Sequence, residues 1–132
     1  MAIESLKNKK YAFLGAGIIA GVFIERLVKA GVAEPGSILA SDIRLDRLEE
    51  LRRLFGIQTD PDNKHAAEFG DIVFLAVPPN AVGSVLAEVR PAVHDGKMVV
   101  SLAACIPTAY TWTMRSGRGR AGWLRWNTIW DP

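Results

Sequence analysis

Lys10–Ala20 reads KYAFLGAGIIA, and the fold follows from the change of character at its glycines. Lys10–Leu14 is a short apolar run of strand type, closed by Gly15-Ala16-Gly17. After it, Ile18, Ile19, Val22, Phe23 and Leu27 recur at helical spacing, which predicts a helix burying those residues along one face. Gly15, Gly17 and Ala20 fit the pattern G-x-G-x-x-G/A, and each position has a mechanical reason in a dinucleotide site. Gly15 permits the tight turn from strand to helix, Gly17 lets the backbone approach a pyrophosphate, and Ala20 is small enough for close helix–strand packing. The helix beginning at Ile18 aims unpaired N–H groups and the positive end of its dipole at the same place.

Outward from this stretch, strands and helices alternate. Gly31 ends the first helix and Pro35-Gly36 turns into a second strand, Ser37–Ser41. Asp46–Phe55 is a charged helix with Leu48, Leu51 and Leu54 or Phe55 on one face, followed by Gly56. Ile57–Thr59 is a short third strand, and Pro61–Phe69 a brief helix that takes Pro61 in its first turn. Asp71–Val77 contains six consecutive apolar residues without alternation, as expected of a parallel strand covered on both faces. Pro78-Pro79 stops that strand, and Asn80 is placed to cap a helix carrying Val82, Val85, Leu86 and Val89. Pro91 ends this helix, and Asp95-Gly96 turns into a fifth strand, Lys97–Leu102. Such βαβ units predict a doubly wound α/β fold of the Rossmann type, with a parallel sheet, in a single domain over residues 1–110.

A glycine loop alone also describes an ordinary turn. Here an acid follows the second strand: Asp42 stands 22 residues beyond Ala20, at the spacing of the residue that holds the adenosine ribose in dinucleotide folds. Asp42 would favour NAD by accepting from the ribose hydroxyls and repelling a 2′-phosphate. Arg44, two residues on, could instead pair with that phosphate and favour NADP. As a plain structural device Asp42 would cap the next helix.

With 132 residues, 49% hydrophobic and 23% charged, the chain has the size and composition of one domain with a real core, which excludes disorder. A net charge of +2 is too small to argue for nucleic acid, but its distribution is uneven. Residues 1–95 carry 11 Lys and Arg against 13 Asp and Glu, whereas residues 96–132 carry five against one. All four tryptophans (Trp112, Trp123, Trp126 and Trp130) also fall in the tail, residues 111–132. The single cysteine, Cys105, forms no internal disulfide and reads as a small, partly buried residue. His65 and His94 lack the partner spacing of a metal site. Lys7, Lys9 and Lys10 before an uncharged run imitate a signal peptide. Gly15 and Gly17 break that run, and Glu25-Arg26 follows instead of a cleavage site, so the expected location is the cytoplasm, with no membrane association.

Several segments, quoted in order, resemble the N-terminal domain of the pyrroline-5-carboxylate reductase family: FLGAGIIA (13–20), KAGVAEPGSILASD (29–42), TDPDN (59–63), DIVFLAVPP (71–79) and VVSLAACIPT (99–108). The last two are similar to the family's A-V-K-P and S-[IL]-A-A-G-[IV] segments. The resemblance covers about Lys10 to Tyr110. It implies an NADPH-preferring oxidoreductase of proline biosynthesis that transfers hydride to a cyclic imine. It implies cofactor contacts from Gly15, Ala16, Gly17, Ile18 and Ile19 at the pyrophosphate, and from Ser41, Asp42 and Arg44 around the ribose. Asn63 matches an asparagine near the cofactor, and Ala76, Val77, Pro78, Ala103 and Ala104 lie on the nicotinamide side. Two positions depart from the pattern: Pro78 stands where the family has lysine, and Cys105 where it has glycine. The tail departs further, and the family's helical domain, which dimerises and supplies most of the imine pocket, has no counterpart in the sequence. The expectation is therefore a fragment inactive on its own and prone to self-association. The alternative is a stand-alone nucleotide-binding or sensing module whose basic, aromatic tail engages a partner.

Overall fold

In the computed structural model, residues 6–93 and 97–102 are described. β1 (Tyr11–Leu14) is buried at all four positions and occupies the middle of a five-stranded sheet. β2 (Ile38–Ser41) and β3 (Gln58–Asp60) extend the sheet on one side, and β4 (Ile72–Leu75) and β5 (Met98–Ser101) on the other, giving the order β3-β2-β1-β4-β5. Every pairing is parallel. This is the doubly wound sheet expected from the alternation of elements. The turn at Asp95-Gly96, residues Ala103 and Ala104, and the whole tail lie outside the described residues.

Four helices make the crossovers: α1 (Ile18–Lys29), α2 (Leu45–Phe55), α3 (Asn63–Phe69) and α4 (Pro79–Val89). They divide the core into two layers. α1 and α2 bury Ala20, Ile24, Leu48 and Leu51 against Tyr11, Phe13, Ile38 and Ala40. α3 and α4 bury Ala66, Ala67, Val82, Val85, Leu86 and Val89 against Ala12, Leu14, Val73 and Leu75. Alternate residues of β1 thus feed opposite cores, as the period of two along a strand requires. Phe13 stacks on Phe74 with ring centroids 4.7 Å apart, tying β1 to β4.

Three local expectations are corrected. Ile18, Ile19, Val22 and Phe23 are exposed, and α1 instead buries Ala20, Gly21 and Ile24, with Leu27 and Val28 partly covered. The small residues win because they let α1 lie close on the sheet and on α2; bulkier side chains on that face would hold the helix away. In α2, where either Leu54 or Phe55 is expected on the apolar face, Phe55 packs on the core and Leu54 is exposed. The cap residues also shift. Asp62 caps α3, its carboxylate accepting from the Lys64 amide, so Pro61 stays outside the helix. Pro79 opens α4, so Asn80 lies within its first turn and is not its cap.

Candidate functional site

Parallel register sets Leu14 beside Ser41 and Leu75, and Leu75 beside Ser101. The residues that follow each strand therefore emerge along one edge: Gly15, Asp42, Ala76 and Leu102. Ladder hydrogen bonds hold this edge, from Gly15 N–H to the Ser41 carbonyl (2.9 Å), Ala76 N–H to Leu14 (2.8 Å) and Leu102 N–H to Leu75 (2.9 Å). Connections leave β1 and β4 toward opposite faces of the sheet, so the crevice between their loops is the switch point where open α/β sheets bind ligands.

The two glycines of the loop differ in what they answer to. Gly15 has φ +102°, and a Cβ there would stand 2.5 Å from the Ala76 carbonyl oxygen, so the fold itself demands glycine. Gly17 has φ −78° and ψ −164°, ordinary extended backbone, and a Cβ there would meet no atom within 4 Å. Beside it Ile18 is 83% exposed, and the amides of Ile18 and Ile19, at the start of α1, have no acceptor within the helix. These features fit a pyrophosphate lying over the loop. Ala16 is buried beneath it.

Asp42 is the hinge between the loop and β2. Its Oδ2 accepts the Ala16 amide at 2.8 Å and Arg44 Nη2 at 3.0 Å, while Oδ1 accepts the Arg44 amide at 2.9 Å and Nε at 3.1 Å. Burial opposes charge on this carboxyl. The hydrogen bonds from the Arg44 side chain and amide and from the Ala16 amide outweigh that cost and hold its pKa at about 2. Asp42 is thus a fixed anion spent on its own chain, with its side chain 8% exposed, whereas the Arg44 guanidinium is 56% exposed. α2 begins after Arg44, so Asp42 closes the turn before the helix and is not its cap.

Ser41 and Asn63 meet behind the acid. Ser41 is buried, and its hydroxyl donates to Asn63 Oδ1 at 2.6 Å, while Asn63 Nδ2 donates to Glu88 Oε2 at 3.3 Å. The pair locks the starts of α3 and the end of α4 to β2. On the other side of the crevice Ala76 and Val77 are half-buried and Pro78 is exposed.

One site residue has no signature in the sequence. Arg47, from the first turn of α2, donates from Nε to the Ala16 carbonyl (2.6 Å) and from Nη2 to the Gly17 carbonyl (3.3 Å), and pairs with Glu50. On a helix rich in Arg and Glu such a residue reads as solvated, and only the packing of α2 beside the loop reveals its partners. Among the described residues no cluster of three His, Cys, Asp or Glu could hold a metal ion, and no helix is long and apolar enough to cross a membrane.

Residues 10–105 match the family described as NADP oxidoreductase, coenzyme F420-dependent. The pyrroline-5-carboxylate reductase of Methanosarcina acetivorans is 34% identical over 102 residues, covering 77% of this chain and 38% of the relative. The structure is similar to a pyrroline-5-carboxylate reductase from Coxiella burnetii, with a TM-score of 0.79 and 26% identity over 83% of this chain and 41% of the other. It shares its fold with the Plasmodium falciparum pyrroline carboxylate reductase solved with NADP bound, with a TM-score of 0.71 at 19% identity over 83% of this chain and 38% of that one. The chain spans about two-fifths of the length of these relatives. It belongs to the family of NADP oxidoreductases described as coenzyme F420-dependent, and within it this chain corresponds to the nicotinamide-dinucleotide-binding domain of the pyrroline-5-carboxylate reductases.

Proposed function

We propose that this domain binds NADPH in preference to NADH and serves a reductase that transfers hydride to the C=N carbon of 1-pyrroline-5-carboxylate. The observation that carries the nucleotide reading is Gly17: its conformation suits any residue and its Cβ position is empty, so the glycine answers to a ligand and not to the fold. Gly15, Ala16, Gly17, Ile18 and Ile19 would hold the pyrophosphate through their amides. Ser41, Asp42 and Arg44 would stand around the adenosine ribose, with Asn63 near the cofactor; Ala76, Val77, Pro78, Ala103 and Ala104 would line the nicotinamide side.

The preference for NADPH rests on the Asp42–Arg44 pair. Asp42 is engaged by three groups of its own chain, which leaves it a poor acceptor for ribose hydroxyls, while the exposed guanidinium is available to a 2′-phosphate. When bound, reduced nicotinamide supplies the hydride; the chain's own residues bind and orient. The imine substrate and a cytoplasmic location are inferred from the pyrroline-5-carboxylate reductases to which the chain is similar. These relatives favour the reductase reading over a free-standing sensing module.

Calorimetric titration of the chain with NADPH and with NADH tests the reading. Saturable binding of one NADPH per chain, at least tenfold tighter than NADH, is expected. Binding of neither nucleotide would refute it.

A further inference from the structure

Arg47 reaches the glycine loop from the first turn of α2. Its side chain is mostly buried, and its guanidinium touches three acceptors: the carbonyls of Ala16 and Gly17 and the carboxylate of Glu50 at 2.9 Å. It reaches them by crossing α1 at Gly21, where a Cβ would come within 2.8 Å of Arg47 Nη2. The missing side chain at Gly21 is the passage through which α2 grips the loop.

A trans peptide carries its C=O and N–H in opposite directions. A donor that holds the Ala16 carbonyl toward α2 therefore turns the Gly17 amide away from α2. The Gly17 carbonyl already accepts the Gly21 amide at 3.0 Å, so Arg47, at 3.3 Å, is a second donor there and only reinforces the direction of the Ile18 amide. Glu50 neutralises the guanidinium, so what Arg47 contributes is orientation more than net charge.

We propose that Arg47 is the positioning residue of the pyrophosphate loop, setting the direction of the Gly17 amide through the Ala16 carbonyl and reinforcing that of Ile18. The proposal rests on the dinucleotide reading above and goes beyond it, because it gives a role to a residue whose partners are two loop carbonyls and Glu50. Glycine at position 21 is then part of the same device.

The test separates the two ends of the ligand. NADPH carries the pyrophosphate, whereas adenosine 2′-monophosphate keeps the ribose, the base and the 2′-phosphate and has no pyrophosphate. Arg47→Met is expected to weaken NADPH at least tenfold in calorimetry while changing adenosine 2′-monophosphate less than threefold by NMR titration. Arg47→Lys, which can reach one carbonyl, should fall between Arg47→Met and the wild type. Gly21→Ala, which displaces the guanidinium without altering it, should weaken NADPH severalfold in a protein that melts no lower than the wild type; it decides the matter if Arg47→Met fails to fold. Unchanged NADPH affinity in the folded variants overturns the inference and leaves the dinucleotide reading intact. Parallel loss of both ligands also overturns it, since that is the mark of general damage. Absence of NADPH binding by the wild type removes the dinucleotide reading and this inference with it.

Discussion

Asp42 Oδ2 accepts the amide of Ala16 at 2.8 Å, joining the end of β2 to the turn after β1 across 26 residues of chain. The acid that sequence spacing assigns to a ribose is thus first a clamp on the glycine loop. The two roles compete for the same lone pairs, and the competition yields predictions for both stability and cofactor choice.

The stability prediction concerns acid. Asp42 has its carboxyl pKa lowered from 3.8 to about 2 in the folded chain. A depressed acid contributes stability that is complete above the unfolded value and disappears as pH falls through the folded one. With allowance for solvent screening this is about 1–2 kcal/mol, present above roughly pH 4 and lost toward pH 2. Urea denaturation of wild type and Asp42→Asn between pH 2 and 6 should show a gap that closes as pH falls. A gap independent of pH would mean that the ionised clamp contributes nothing.

Cofactor choice should follow Arg44. Its guanidinium is bound to Asp42 yet largely open to solvent. Arg44→Ala is expected to weaken NADPH by about tenfold or more, near 1.4 kcal/mol, and to leave NADH within twofold. Asp42→Ala releases the guanidinium but also unclamps the loop, so both nucleotides should weaken, NADH more than NADPH. Equal loss of both nucleotides in Arg44→Ala would show that Arg44 does not meet the 2′-phosphate.

Lys97 offers a prediction remote from the loop. From the residue before β5 its ammonium donates to the carbonyls of Ala67 (3.0 Å), Glu68 (2.8 Å) and Gly70 (2.6 Å), closing the C-terminal end of α3. Lys97→Met keeps most of the unbranched stem and removes all three bonds. Loss of charged hydrogen bonds at a part-buried helix end should cost about 2–3 kcal/mol, read as a lower denaturation midpoint at unchanged slope. A midpoint equal to the wild type would show that water replaces the ammonium at no cost.

How far the sequence reaches is clear from individual residues. β4 is legible because Ile72–Leu75 is uniformly apolar and buried strands of parallel sheets have no polar face. Asp42 is legible because topology fixes its distance from the loop. The buried face of α1 is not, since counting large apolar residues selects Ile18, Ile19, Val22 and Phe23, while close packing selects Ala20 and Gly21. Arg47 and Lys97 escape for a related reason. A cation reads as solvated unless its acceptors are known, and here every acceptor but Glu50 is a backbone carbonyl from another element.

The central claim is that Gly17 is reserved for a ligand while Gly15 is required by the fold, and one paired measurement tests it directly. Gly17→Val and Gly15→Val are prepared alongside the wild type, and each is examined by thermal melting and NADPH calorimetry. Position 17 has extended backbone and open space, so Gly17→Val should melt within a few degrees of the wild type yet lose at least tenfold in NADPH affinity, about 1.4 kcal/mol. Position 15 has positive φ and a carbonyl in the way, so Gly15→Val should be destabilised by several kcal/mol or fail to fold. A Gly17→Val protein that binds NADPH as tightly as the wild type would contradict the account.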